Sequence, residues 1–289
     1  MYEAFYKLKA KPFALLPQEE FMFLSRQHRI ALDLLIYALR NRALFCAVSG
    51  DIGTGKTTLL RFLLSRHAPN TSVAMITGMH GSFVDLLQWM LAEFGLDFRG
   101  LDKIGMQQAL ISFLKRKQAA GQCMVLVIDE AQTLAPEVLE ELRLFSNVNA
   151  GRVILLQTVL VGQLGLRKTL RRPEMVQFAQ RVAVDYLLMP FDQEQTRAYI
   201  RHRIRTAGGA QDDLFTVEAS DVVFRVSRGV PRIINLLCDT ALVYGYADQK
   251  ARIDAGTVNE MLEDKAREGG WLFSRPAERR LRGSANVEK

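Results

Sequence analysis

Gly50-Asp51-Ile52-Gly53-Thr54-Gly55-Lys56-Thr57 places three glycines, a lysine and two threonines within one short stretch. These residue types suit a polyphosphate. Glycines let backbone N–H groups turn inward, and no Cβ blocks the approach of the anion. The stretch follows an apolar run, Ala43 to Val48, and precedes Thr58-Leu59-Leu60-Arg61-Phe62-Leu63-Leu64, which has a helical apolar repeat. Strand, glycine loop and helix form the context that separates a phosphate loop from a chance glycine-rich turn. The free N–H groups and positive dipole end of that helix would face the anion. Gly50 to Thr58 are therefore expected to cradle ATP, with Lys56 reaching the β- and γ-phosphates and Thr57 holding Mg2+.

A second group of residues lies about seventy positions downstream. Cys123 to Ile128 is a continuous apolar run ending in Asp129-Glu130. A carboxylate at the tip of a strand beside a phosphate loop can hold Mg2+, the role expected of Asp129. The next carboxylate projects differently and can polarise an attacking water, the role expected of Glu130. After any apolar run alone, Asp-Glu would equally suit a surface turn. Asp129-Glu130-Ala131-Gln132 also resembles a helicase box. That alternative needs a second parallel sheet with its own arginine motif, and the C-terminal helices do not provide one. Two arginines outside the loop, Arg181 and Arg232, are candidates to stabilise charge developing on the γ-phosphate. From residue type alone, both would pass as surface arginines.

These groups require a scaffold of alternating strands and helices. Thr71–Thr77, Cys123–Ile128, Val153–Val161 and Val182–Leu188 read as strands after the first. Helices are expected over Arg26–Arg40, from Phe83 to Phe94 behind a Ser82/Asp85 capping box, over Ile104–Ala120, and from Pro136 to about Asn147. Alternation predicts an α/β fold with a doubly wound, mostly parallel sheet. After Pro190 the pattern becomes helical: Asp192-x-x-Gln195 opens a helix to about Ala207, and Val217–Ser227, Pro231–Ala247 and Thr257–Arg267 follow. The expected organisation is an aromatic, irregular arm over 1–24, a nucleotide-binding domain over 25–190, a small all-helical domain over 191–268 and a basic disordered tail over 269–289.

Composition limits the alternatives. Of 289 residues, 49% are apolar and 24% charged, as in ordinary globular chains. Cys46, Cys123 and Cys238 lie in apolar or helical runs without shared spacing, and the four histidines are scattered, so neither disulfides nor zinc are expected. No apolar run reaches the ~18–20 residues that span a bilayer. The longest, Val153 to Gly162, is interrupted by Gln157. A soluble, cytoplasmic protein without a transmembrane segment is expected. The net charge is +7, and residues 271–289 contribute five basic side chains against two acidic ones. Arg197, Arg201 and Arg205 recur at helical spacing, with Lys168, Arg171 and Arg172 upstream. Such a stripe reads as a solvated face unless it tracks DNA or an acidic partner.

From Met1 to about Arg267 the sequence resembles AAA+ ATPases of the ExeA/GspA type, associated with bacterial secretion and pilus systems and related to transposition ATPases. The matching stretches include the phosphate loop, Phe5-Tyr6-x-Leu8-x-x-x-Pro12-Phe13, Leu24-Ser25-Arg26-x-His28, Ile128-Asp129-Glu130-Ala131-Gln132, Leu139 to Asn147, Leu156-Gln157-x-Val159 to Gln163, Gln180-Arg181-Val182, and Gly229-Val230-Pro231-Arg232 to Asp239. The resemblance implies a P-loop NTPase fold with a helical lid. It implies that Arg181 is an arginine finger reaching a neighbour's ATP, that Arg232 is a lid sensor touching the γ-phosphate of its own subunit, and that Gln163 orients the water. It also implies a homo-oligomer, a ring or dimer, and a protein partner from a secretion, pilus, exopolysaccharide or other envelope-assembly system, reached peripherally at the inner membrane. The alternative is a DNA-binding regulator of the transposition type, and a third is a nucleotide switch that barely hydrolyses. Two departures stand out. The family's Pro-Glu-Leu after Gln163 is Leu164-Gly165-Leu166 here. Some secretion members continue into a membrane span and a cell-wall-binding domain, whereas this sequence ends about twenty residues after its last helix, so no anchoring to peptidoglycan is expected.

Overall fold

The computed structural model describes residues 1–15, 19–65, 70–149, 153–209 and 213–267. The expected tail over 269–289 lies outside the described residues. In chain order the elements are α1 (Tyr2–Phe5), α2 (Arg26–Arg40), β1 (Phe45–Gly50), α3 (Lys56–Ser65), β2 (Thr71–Thr77), α4 (Phe83–Glu93), α5 (Lys103–Ala119), β3 (Cys123–Asp129), α6 (Pro136–Phe145), β4 (Gln157–Gly162), α7 (Leu164–Leu170), α8 (Val176–Ala179), β5 (Val182–Leu188), α9 (Gln193–Thr206), α10 (Val217–Ser227), α11 (Pro231–Ala247) and α12 (Ala255–Arg267). They form two compact units. One comprises Arg26–Ile52 and Lys56–Met189. The other comprises Met1–Ser25, Gly53–Gly55 and the chain from Pro190 onward.

The first unit is built on a five-stranded sheet of order β2-β3-β4-β1-β5. Every pairing is parallel. Alternate residues of each strand serve opposite faces. Phe45, Ala47, Ala74, Ile76, Leu126, Ile128 and Leu160 join one core with Leu86, Met90, Leu110, Leu142 and Phe178 from the helices. The intervening Cys46, Val48, Val125, Val127, Val159 and Val161 are buried too. α2 lies along β1 and β5, and α3 along β1 and β4. Burial on both faces explains why β1 and β3 read as continuous apolar runs. It also pushes the Cys46 thiol up to about 12, which leaves it unreactive.

The fourth strand starts later than its apolar run suggests, at Gln157 rather than Val153. Pairing sets the limit: β1 starts at Phe45, which is in register with Thr158, and Val125 of β3 is in register with Gln157. Upstream, Leu155 and Leu156 are buried without belonging to the strand. Gln157, the polar interruption, is buried because its amide donates to Leu39 O and Ala43 O at 3.1 Å each.

In the helical unit, the Asp192/Gln195 capping box opens α9, and Pro231 occupies the first turn of α11. The aromatic arm is less irregular than its prolines suggest. It contains α1 and a 3-10 turn at Glu19–Phe21, and its Tyr2, Leu8, Phe13 and Phe21 sit in the same core as Ile200, Ile234, Leu237 and Val258. Arg203 fastens it. This buried guanidinium hydrogen-bonds Pro12 O, donates to Ala14 O at 3.1 Å and lies 4.7 Å from the Phe21 ring centroid. No helix of the described residues is long and apolar enough to cross a membrane.

Candidate nucleotide-binding site

Parallel strands deliver their C-terminal ends to one edge of the sheet. With this strand order, Gly50 ends β1, Asp129 ends β3 and Gln163 follows β4 between them. The chain order reverses around β1, and such a switch point is where open α/β sheets bind ligands.

The loop turns sharply through Gly53 at φ +80° and Gly55 at φ +95°, conformations that side-chain-bearing residues rarely adopt. Within the helical unit, to which Gly53–Gly55 belong, the Arg232 N–H donates to Gly53 O at 3.3 Å. A Cβ on Gly53 would lie 2.7 Å from that of Arg232. Close backbone approach thus adds to the reasons for glycine there. The Arg232 side chain is exposed, and Asp51 and Ile52 are exposed as well.

α3 begins at Lys56, whose side chain is buried. Its ammonium donates to Gly50 O at 3.0 Å and Asp51 O at 2.8 Å. Burial lowers its pKa, opposed by the carboxylates of Glu130, Asp129 and Asp51. The Thr57 hydroxyl donates to Asp129 Oδ2 at 2.8 Å, and Asp129 Oδ1 accepts the Glu130 N–H at 2.9 Å. Among the described residues no group of three or more His, Cys, Asp or Glu could form a protein-only metal cage. Two hard oxygens that leave the remaining positions to phosphate and water suit Mg2+, which sheds its waters reluctantly.

Glu130 adopts the left-handed conformation, φ 58° and ψ 34°. For a residue with a side chain this costs roughly 1–3 kcal/mol and is found where the surroundings impose it. Its Oε2 accepts from Gln132 Nε2 at 2.5 Å and from Gln163 Nε2 at 3.1 Å. The Gln132 bond, then that of Gln163 and the charge of Lys56, hold the carboxyl below its ordinary pKa, against the contrary effect of burial. Glu130 is thereby kept as a carboxylate.

The sheet unit thus gathers Lys56, Thr57, Asp129, Glu130 and Gln163, with Thr58 in the first turn of α3. Arg181 is engaged elsewhere. Half-buried, it donates from one guanidinium nitrogen to Arg143 O at 3.1 Å and Ser146 Oγ at 2.8 Å, closing the C-terminal end of α6. Arg232 belongs to the other unit. Gln132 was not among the residues singled out for this site. The Asp129 to Gln132 box held its signal, but the box points to helicases before it points to an amide beside the carboxylate.

Residues 39–170 match the model of a family described as an AAA domain. Over 263 residues, 90% of this chain, the sequence is 37% identical to General secretion pathway protein A of Aeromonas hydrophila. The chain spans about half of that curated relative, 47% of its length. Among solved structures, the Aeropyrum pernix ORC2 protein has a TM-score of 0.64 at 16% identity, covering 82% of this chain and 68% of its own. Cdc6p of Pyrobaculum aerophilum has a TM-score of 0.65 at 18% identity, with 91% and 70% covered. At these identities the structural likeness speaks for the fold.

Proposed function

We propose, from the premise that this chain is an AAA ATPase of the ExeA/GspA type, that it hydrolyses ATP with Mg2+ and couples the cycle to assembly or remodelling of a secretion or related envelope apparatus. One observation carries the chemistry: a Thr57–Asp129 oxygen pair beside a carboxylate, Glu130, held by two amides. A loop that only bound phosphate would need Lys56 and the backbone N–H groups, not a positioned base.

Thr57 and Asp129 would hold Mg2+, which when bound offsets phosphate charge. Lys56 has spent two of its three N–H groups on backbone carbonyls, and the third is the one to meet the β- and γ-phosphates. Glu130 accepts a proton from water as the water oxygen bonds to the γ-phosphorus. The bond from that phosphorus to the β,γ-bridging oxygen breaks, leaving ADP and phosphate. Gln163 orients the carboxylate and the water. Arg232 contacts the γ-phosphate in its own subunit, and Arg181 reaches the site of a neighbour once released from α6. Oligomerisation is then part of the mechanism, with the protein in the cytoplasm and reaching the inner membrane through its partner.

The secretion reading rests on the 37% identity to a protein bearing that name. It is favoured over a DNA track because Arg197, first in the basic stripe, is spent on Asp221. Its Nε and one terminal nitrogen each bond an Asp221 oxygen at 2.6 Å. The experiment is Mg2+-dependent ATP turnover in wild type, Glu130→Gln and Arg181→Ala, singly and mixed. Expected are loss in each single variant and partial recovery on mixing. Wild-type turnover in Glu130→Gln would remove the base assignment, and absence of recovery would remove the trans role of Arg181. Strong stimulation by DNA duplex with a steep salt dependence would overturn the preference for a protein partner.

A further inference from the structure

We propose that Gln132 is a positioning residue for hydrolysis, locking the Glu130 carboxylate so that Oε2 is tied down and Oε1 is the oxygen that accepts the proton of water. The proposal rests on Glu130 as the base.

The inference starts from the shape of the segment. Glu130 leaves β3 in a left-handed conformation, and the chain turns at once into a 3-10 turn, Ala131–Thr133. That turn is rigidly mounted. Ala131 and Leu134 are buried. The Thr133 hydroxyl bonds Met79 O at 2.6 Å and Glu130 O at 2.9 Å, and the Thr133 N–H also donates to Glu130 O, at 3.0 Å. Gln132 therefore projects from a fixed base.

Both ends of its amide are used. Nε2 donates to Glu130 Oε2 at 2.5 Å, and Oε1 accepts the backbone N–H of Gln163 at 2.8 Å. A glutamate at 132 would keep the acceptor, lose the donor and set a second negative charge against Glu130. An asparagine would be one methylene short. Through the Gln163 N–H, Gln132 also sets the start of α7, from which the Gln163 side chain reaches the same Oε2 at 3.1 Å. One amide thus places both the base and its second holder. Carboxylate side chains have several rotatable bonds, and tying one oxygen from two directions removes that freedom before substrate arrives.

A separate observation from β4 agrees. Gly162 ends that strand, and a Cβ there would stand 2.8 Å from Gln132 Oε1. Leu166 would lie 3.1 Å away, so a side chain at 162 requires the Gln132 amide to shift from its place. Gly165 differs: its Cβ would make only an ordinary contact, 3.4 Å from Gln132 Cβ.

The test uses the full chain, with steady-state and single-turnover ATP hydrolysis, binding of a fluorescent ATP analogue, and a thermal melt of each variant. Gln132→Met and Gln132→Glu are expected to lower kcat on the order of 10- to 100-fold, the scale of a misplaced reacting group. KM and analogue affinity stay near wild type. Gly162→Ala is expected to reproduce the loss by displacing the amide, and Gly165→Ala to keep wild-type kcat. In a Glu130→Gln background, Gln132→Met is expected to add nothing further. The proposal is overturned by wild-type kcat in Gln132→Met, by a raised KM with unchanged kcat, or by an equal further loss in the Glu130→Gln background. Wild-type turnover in Glu130→Gln alone marks failure of the base assignment and takes the proposal with it; the other outcomes concern Gln132 alone.

Discussion

Gly229 precedes the Val-Pro-Arg that opens α11 and presents Arg232, and its replacement by alanine has a cost that follows from local geometry. α10 ends with Arg228 left-handed at φ 52°, and Gly229 follows at φ +74°. An L-residue in that conformation costs roughly 1–2 kcal/mol. A Cβ at Gly229 would lie 1.8 Å from the carbonyl oxygen of Phe191, a distance no relaxation of a side chain can relieve because the clashing atom is backbone. Phe191 must move, and the bond from its N–H to Gly229 O, 2.9 Å, is lost. Leaving such groups unpaired adds about 1–3 kcal/mol. Gly229→Ala should therefore cost about 2–5 kcal/mol, a large part of the ~5–15 kcal/mol that holds a domain together. Gly95 is the control: φ is +71° and nothing lies within 4 Å of its Cβ position, so Gly95→Ala feels only the conformational cost. Circular dichroism melts of both variants separate the two effects. At about 2–4 °C per kcal/mol, Gly229→Ala should melt several degrees below Gly95→Ala. On the proposed role of Arg232, three residues on, the nucleotide affinity of Gly229→Ala should fall as well. Equal melting temperatures would refute the steric part of the reasoning.

Lys56→Met should weaken ATP binding by about 10- to 150-fold, the equivalent of ~1.5–3 kcal/mol for a hydrogen bond to a charged group; a fluorescent-nucleotide titration reads it. Arg203→Met removes the buried guanidinium from Pro12 O and Ala14 O, and should cost on the order of 2–4 kcal/mol while making the arm the first site cut in limited proteolysis. His202 is held below its ordinary pKa by burial first and by Arg203 next, and its buried Nε2 has no hydrogen-bond partner among the described residues. Above the unfolded value, about 6.5, both states are neutral; as pH falls below it the unfolded chain takes up the proton first, so stability is lost. Melting temperatures taken between pH 7.5 and 5.5 should therefore drop more steeply in wild type than in His202→Gln.

Much of the molecule is legible in the amino-acid order because the forces involved are local. Capping boxes at Ser82/Asp85 and Asp192/Gln195, Pro136 and Pro231 in first helical turns, and the helical or strand-like spacing of apolar residues act over a few positions. A reader of the sequence can evaluate them without knowing what lies across the core. The strand, glycine turn and helix start around Gly50–Lys56 and the strand end at Asp129 are legible for the same reason: each is a short-range event. What the tertiary structure decided are the partners far away in sequence. The basic run on α9 shows this. Its spacing marks Arg197, Arg201 and Arg205 as one face, whereas the arginine with the largest structural part is Arg203, which faces inward and holds a segment about 190 residues away. The arm, irregular by its prolines, is part of the core of the helical unit, because its aromatic residues find their apolar surroundings there. Arg181 has a half-buried place at the end of α6 that no local pattern announces. Gln132 acquires meaning only when parallel pairing brings the ends of β3 and β4 side by side, so that Glu130, Gln132 and Gln163, separated by up to 33 positions, share one set of hydrogen bonds. Local chemistry therefore writes the elements and the loop. The order of strands, which no short-range interaction encodes, turns neighbouring strand ends into a site.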